Sequence, residues 1–394
     1  MRGHIVKRGK NSYSIKVSVG KDANTGKYKY QWTTVKGTKK EAEKRLGEIL
    51  HQLDTGTFTK PGKMTVGEYL GQWLKDYRPS IGPHSAQTYE FFIERHIKPA
   101  IGQIPLTSLK PEHLQRLYSD KLSTGRRDGT GGLGNRSVRY IHSTLHKALQ
   151  SAVKLGMIAR NPADAVDVPK VKRQEMQVMS EDDIHTFLEA AKSTPYYALF
   201  HMALFTGMRR SELLALRWSD MDLLMCQAFV NRTLHRLNNG EIIFGETKTG
   251  KSRRMVALSP RTCSVLQEYR QKQEQNRLLA GHPLQESDLV FSHLDGKTLL
   301  PDSVTHAFMV LAQRTGLKGI HLHSARHTHA TLMLKQGIHP KIVQERLGHA
   351  TISTTLDLYS HVSPGLQEAA AKRFDELLST KPANEPEKEV ATKN

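Results

Sequence analysis

The chain has 394 residues, with 58 Lys or Arg against 38 Asp or Glu and a formal net charge of +20. That excess is more than solubility calls for and points to a polyanion as partner, nucleic acid being the commonest. Two cysteines, Cys226 and Cys263, exclude a disulfide framework, and no window approaches a membrane span or an apolar signal core, so a soluble cytoplasmic protein of two to four domains is expected.

Residues 1–63 carry 15 Lys or Arg and 5 Asp or Glu, half of the net charge in about a sixth of the chain. Tyr13, Ile15, Val17 and Val19 alternate as one face of a strand, and Tyr28, Tyr30 and Trp32 alternate on the next, after a turn-rich Lys21–Gly26. Thr38 with Glu41 forms a capping box for a helix whose Ala42, Leu46, Ile49, Leu50 and Leu53 make a single apolar stripe, ended near Gly56 and Pro61. Residues 1–60 therefore read as a small, basic sheet-plus-helix domain able to lay strands in a DNA groove, against the plainer reading of an inert basic leader.

Residues 64–160 read as a compact helical domain. Thr65 and Glu68 cap a helix through Tyr69, Leu70, Trp73 and Leu74, and helical patterns recur at Tyr89–Ile97, Pro111–Leu122 and Ser137–Leu155. A Gly-rich loop, Gly125–Gly134, carries Arg126 and Arg127. Lys110, Arg116, Arg136, Arg139 and Lys147 are candidate phosphate contacts, although solvated helix faces look the same. Asn161-Pro162 opens a polar, basic linker, residues 161–178.

From Ser180 and Asp183, another capping pair, the pattern mixes helices with a short sheet over residues 179–378. Phe229–Leu234, Glu241–Gly245 and Met255–Leu258 are strand-like, with Asn238-Asn239-Gly240 as a hairpin turn. Residues 379–394 lack apolar content and are expected to be disordered. Asp220 and Asp222 read as a turn pair rather than a metal site, and there is no phosphate-binding Walker loop.

Two stretches carry chemistry. After a glycine turn, Thr206–Leu213 begins a helix on which Arg209 and Glu212 would share a face, so that the carboxylate orients the guanidinium; Arg210 is a neighbouring rival. Lys248 lies in Thr247-Lys248-Thr249-Gly250, read as a hairpin between two strands, where an ammonium could protonate a departing alkoxide; Lys251 rivals it. The second stretch, His321–His361, holds His323 and Arg326 three residues apart, His349 after Leu347-Gly348, and Tyr359 ten residues on. On a straight helix ten residues span roughly 15 Å, so His349 and Tyr359 can act together only if the chain turns between them. Arginine grips two phosphate oxygens, histidine donates or moves a proton, and a phenol becomes a nucleophile beside cations. The set suits attack of a tyrosine on a phosphodiester. Zinc binding by His321, His323, His327 and His329 is the sharper rival, but Ser324 stands where a His-Glu-x-x-His helix needs its glutamate.

In that order, Thr206–Leu213, Lys248, His323 with Arg326, Leu347-Gly348-His349 and Tyr359 resemble the signature of the tyrosine recombinases, or phage-type integrases. The likeness extends over nearly the whole chain, its leader resembling the arm-site DNA-binding domain of phage and conjugative-transposon integrases. It implies a multidomain α+β protein: a small β-sheet-plus-helix N-terminal domain, an all-α SAM-like core-binding domain and a mixed α/β catalytic domain. It also implies Tyr359 as nucleophile through a 3′-phosphotyrosyl link, Arg209 and Arg326 on the non-bridging oxygens, and His349 as donor. Lys248 would be the general acid, His323 a phosphate contact and base, and Glu212 a support for the arginine. No metal or other cofactor is implied. The partners would be double-stranded DNA at core and arm sites, three further copies in a tetramer, and an excisionase or a host DNA-bending protein. Residues near Phe374–Leu378 would dock on a neighbouring protomer. The rival readings are a Xer-like enzyme that resolves replicon dimers and a non-catalytic DNA-binding accessory protein.

Overall fold

The computed structural model describes residues 3–21, 26–54, 64–126, 129–171, 177–246 and 253–359, with 371–372, 374–376 and 378. The chain forms two compact units, Met1–Arg173 and Gln174–Asn394.

The first unit begins with three antiparallel strands in the order β1 (Gly3–Gly9), β2 (Ser12–Lys21), β3 (Tyr28–Lys36), followed by α1 (Lys39–Asp54). The Thr38–Glu41 box forms: the Glu41 carboxylate accepts the Thr38 N–H and hydroxyl, and the Thr38 hydroxyl accepts the Glu41 N–H. The strand period sorts the faces. Ile15 and Val17 are buried with Ile49 against the α1 stripe, so Lys16 between them faces the other way, in register with Trp32. The Lys16 Nζ sits 4.0 Å from the centroid of Tyr30 and 5.4 Å from that of Trp32. Tyr28, Tyr30 and Trp32 are all exposed.

Residues 64–166 build a separate helical core. It contains α2 (Val66–Tyr77), α3 (Pro83–Phe92), a π-helical turn at Ile93–Ile97 running into α4 (Lys98–Ile101), α5 (Pro111–Thr124) and α6 (Asn135–Lys154). Thr65 and Glu68 cap α2 as the spacing predicts. Leu70, Ile93, Ile97, Leu114, Ile141, Leu145 and Leu149 are fully buried together, each contributing about 2 kcal/mol by burial. Lys147 lies over the Tyr77 ring at 4.7 Å, and Arg127 lies outside the described residues.

The second unit starts with α7 (Glu181–Ala191), capped by Ser180 and Asp183, then α8 (Tyr197–Thr206), whose residues are buried nearly all round. A one-turn α9 (Arg210–Leu213) leads to β4 (Met221–Asp222), β5 (Gln227–Val230), β6 (Arg232–Arg236), β7 (Ile242–Glu246) and β8 (Arg254–Ala257). The expected strand Phe229–Leu234 is two strands, broken at Asn231. β5 pairs with β4 and β8, whereas β6 pairs with β7. The buried Asp220 explains the break: its carboxylate accepts the side chains of Asn231, at 3.0 Å, and Arg232, at 2.7 Å. Among the described residues β7 pairs with β6, Glu246 opposing Arg232, and β8 with β5, Arg254 opposing Val230; the hairpin expected around Lys248 lies outside the described residues. The helices α10 (Pro260–Leu279), α11 (Pro301–Arg314), α12 (Leu322–Lys335), α13 (Pro340–Leu347) and α14 (Ile352–Tyr359) complete the unit. Trp218, Phe187, Phe200 and Phe308 fill its core. Among the described residues no helix is long and apolar enough to cross a membrane.

Candidate active site

Two left-handed glycines shape the site. Gly207, at φ +63°, ends α8, and an added Cβ there would come within 2.6 Å of Leu347 and 2.8 Å of His329. Gly348, at φ +66°, ends α13 in the same way. Thr206 thus closes a helix rather than opening one. Arg209 is the extended N-cap of α9, and its link to Glu212 is a capping box, not a shared helical face. Glu212 Oε2 accepts the Arg209 N–H at 2.9 Å, and Oε1 accepts the guanidinium at 2.8 Å. Arg210 turns elsewhere, donating to Pro301 O and to the Thr305 hydroxyl.

The last carbonyls of a helix lack intrahelical donors, and at the end of α13 three arginines supply them in succession. Arg254 Nε donates to Arg346 O at 2.7 Å, Arg326 Nη2 to Leu347 O at 2.8 Å, and Arg209 Nη2 to Gly348 O at 3.1 Å. Arg326 also donates to Gly207 O at 2.8 Å. The negative end of the helix dipole therefore collects cations that start 117 residues apart in the chain. Arg326 is only 3 % exposed, and burial, then Arg209, push its pKa down to about 9. It stays charged at neutral pH, at a cost that a bound anion would relieve. Burial would raise the Glu212 carboxyl, but Arg254 and Arg209 outweigh it and hold the group below the usual carboxylate range.

The histidines are kept neutral. His349, next to Gly348, shares a 2.8 Å hydrogen bond between Nδ1 and the buried Thr355 hydroxyl. Burial first, then Arg326 and Arg209, push its pKa down to about 3. His323 reaches solvent, yet the protein packed around it, then Arg326 and Arg209, lower its pKa as well. His327 packs edge to face on His323, with ring centroids 4.7 Å apart, and is pushed down to about 4 by burial and then by His323. A neutral imidazole can still donate one hydrogen bond without adding charge. His329 serves the scaffold: its Nδ1 meets Leu204 O at 3.0 Å, so that nitrogen carries the proton, and its Nε2 accepts from Arg346 Nε at 3.0 Å. Among the described residues no three His, Cys, Asp or Glu converge as metal ligands.

The structure brings Arg209, Glu212, His323, Arg326 and His349 together. Between His349 and Tyr359 the chain bends at residues 350–351. α14 then begins at Ile352 and ends on Tyr359, four positions past Thr355, one helical turn. The Tyr359 side chain, and Lys248 with its rival Lys251, lie outside the described residues. Sequence reasoning missed Arg254, Thr355 and the three carbonyls. Only the position of Arg254, just past the Lys248 segment, hinted at the first; nothing local marked the others.

Residues 177–365 match the Phage integrase family, and residues 65–122 match the Phage integrase, N-terminal SAM-like domain. The chain belongs to the phage integrase family. It is a tyrosine recombinase with that family's mixed α/β fold and SAM-like domain, an enzyme that breaks and rejoins DNA. It is 27 % identical to the tyrosine recombinase XerC-like protein of Caldanaerobacter subterraneus subsp. tengcongensis, over 95 % of this chain and 98 % of that one. To the ICEBs1 integrase of Bacillus subtilis it is 25 % identical, over 93 % and 97 %. Among solved structures, the Tn1549 transposon integrase in complex with transposon right end DNA superposes with a TM-score of 0.67 at 19 % identity, covering 80 % of this chain and all of that one. At that identity the likeness concerns the fold.

Proposed function

We propose that this recombinase integrates, and also excises, a mobile genetic element by cutting DNA through a 3′-phosphotyrosyl intermediate. The phenol oxygen of Tyr359 attacks the scissile phosphorus, the P–O5′ bond breaks, and the freed 5′ hydroxyl later attacks the tyrosyl ester to rejoin a strand. Arg209 and Arg326 hold the non-bridging oxygens and His349 donates a hydrogen bond to one of them. His323 contacts the phosphate and takes the phenol proton, and Lys248 protonates the leaving 5′ oxygen. Glu212 holds Arg209 in place. The phosphodiester energy is kept in the ester, so these steps need no nucleotide cofactor.

One observation carries the reading: three guanidiniums on successive carbonyls, beside a neutral histidine and a helix that ends on a tyrosine. Such a site is rich in cations and poor in anions, as a phosphodiester requires.

Residues 1–60 are proposed as the arm-site domain, 64–160 as the core-binding domain, 179–378 as the catalytic domain and 379–394 as a tail; of the linker expected at 161–178, residues 161–166 pack on the helical core, which leaves the connection to the residues after them. Core and arm sites on double-stranded DNA are the substrates. Exchange between two duplexes breaks four strands, and one tyrosine per protomer makes the working unit a tetramer, with Phe374–Leu378 docking between protomers. An excisionase or host DNA-bending protein sets direction, and the enzyme works on the nucleoid in the cytoplasm. The XerC-like relative supports a second reading, dimer resolution. Removing residues 1–60 separates the two: integration and distal-site binding should both collapse, and their persistence would favour resolution.

The deciding experiment incubates the protein with a nicked duplex taken from the junctions of its element. The wild type should form an SDS-resistant protein–DNA adduct and Tyr359→Phe none. An adduct surviving in Tyr359→Phe would place the nucleophile elsewhere, and no adduct with either would leave a DNA-binding accessory protein.

A further inference from the structure

Three arginines end on α13, but they are not equivalent. Arg209 has a side chain 38 % exposed and so can reach a ligand. The Arg254 side chain is 7 % exposed, and the protein engages all three of its nitrogens. Its Nη2 donates to Glu212 Oε2 at 2.8 Å and its Nη1 to Oε1 at 3.2 Å, a two-pronged grip on a carboxylate 2 % exposed, while Nε holds Arg346 O. Both oxygens of that carboxylate also receive Arg209, one through its backbone N–H and the other through its guanidinium. Arg254 therefore fixes the plane of Glu212, and Glu212 fixes both ends of Arg209. The backbone of Arg254 is held too, as the first residue of β8 opposite Val230. Packing closes the arrangement: a Cβ at Gly348 would come within 2.9 Å of Arg254 Nη1, so the left-handed turn before His349 is shaped around this guanidinium.

We propose that Arg254 is a positioning residue for phosphoryl transfer, which sets the Arg209 guanidinium through Glu212 and ties that pair to the turn presenting His349. In this role it acts through Glu212 and not on the phosphate itself. The assignment rests on the recombinase reading above and adds a third arginine to it. Lysine cannot replace it, because a point charge on a flexible stem lacks the planar fork that grips two oxygens while a third nitrogen holds a carbonyl.

The test must separate positioning from mere support of the fold. Full-length wild type and Arg254→Lys are compared on the nicked junction duplex, first with an ordinary scissile phosphate. They are then compared with a methylphosphonate there, in which a methyl group replaces one non-bridging oxygen and removes the negative charge. Adduct formation by Arg254→Lys should fall on the order of 100-fold on the phosphodiester, with DNA affinity held within about twofold. On the methylphosphonate, where Arg209 has no charge to meet, the loss should shrink to less than about fivefold. Equal losses on both substrates, or none on the phosphodiester, would overturn the assignment. Should Arg254→Lys fold poorly, the double variant Arg254→Gln with Glu212→Gln leaves no unpaired buried charge and should show the same substrate-dependent loss. Wild-type behaviour by that double variant also overturns it. A wild type that forms no adduct at all removes the recombinase reading and this assignment with it.

Discussion

On the three-stranded sheet, Lys16 lies over the exposed rings of Tyr30 and Trp32, with Arg8 5.9 Å from the Trp32 centroid. At the end of α13, by contrast, Arg326 is 3 % exposed and bonded to two carbonyls. The same chemical charge is thus left open to water on Arg8 and withdrawn from it on Arg326. An exposed cation costs little, attracts any phosphate and is screened by salt within about 10 Å. A buried one is costly to hold, is oriented by its acceptors, and interacts strongly with charge that develops beside it. On the function proposed above, the sheet attaches to DNA and the helix end acts on a single phosphorus.

The largest effect expected from this contrast is at Arg326. Arg326→Ala should lower adduct formation on the order of 1,000-fold while leaving duplex affinity within a few-fold. It should also cost about 3 kcal/mol of stability, because Gly207 O and Leu347 O lose their donor in the interior. Denaturant unfolding and the nicked-duplex assay measure the two parts. A large loss of affinity with normal cleavage would merge the two regions into one electrostatic role.

Next comes the protonation of buried histidines. His201 is fully buried on α8, its ring stacked on Phe205 at 4.1 Å with no hydrogen-bond partner among the described residues for either nitrogen, and burial pushes its pKa down to about 4. His327 and His329 are also pushed down to about 4, and His349 to about 3. A histidine depressed in the folded state stabilises it fully above the unfolded value near 6.5 and loses that stabilisation as pH falls toward the folded pKa. Between pH 7 and pH 5 the second unit should therefore lose stability, with about 2 kcal/mol from His201 alone. A melting temperature flat over that range would show these rings to be wetter than the packing indicates.

The smallest effect is on the sheet. Replacing Lys16 by Ala should weaken binding to an arm-site duplex by about 1 kcal/mol and flatten the salt dependence by about one phosphate contact. Cleavage of a short core duplex should stay unchanged. If core cleavage falls instead, the charge on the sheet is part of the chemistry and the contrast drawn above is wrong.

Much of this protein is local and was readable in the residues. Thr38–Glu41, Thr65–Glu68 and Ser180–Asp183 cap the helices they precede, because a cap needs only residues three apart. The Ile15/Val17 alternation and the α1 stripe predicted one buried face each, since strand and helix periods are properties of the backbone. The ordered Arg, Lys, His-x-x-Arg, His, Tyr series was legible too, and the structure brings four of its members, Arg209, His323, Arg326 and His349, together. Tertiary structure alone decided the rest. It broke Phe229–Leu234 at Asn231 to serve a buried Asp220, paired β7 with β6 and β8 with β5, and made Arg209 a helix cap. Above all it brought residues 209, 254 and 326 onto three successive carbonyls. The acceptors in that arrangement are backbone atoms, which every residue carries, and a helix end shows its unpaired carbonyls only once the chain has folded around it.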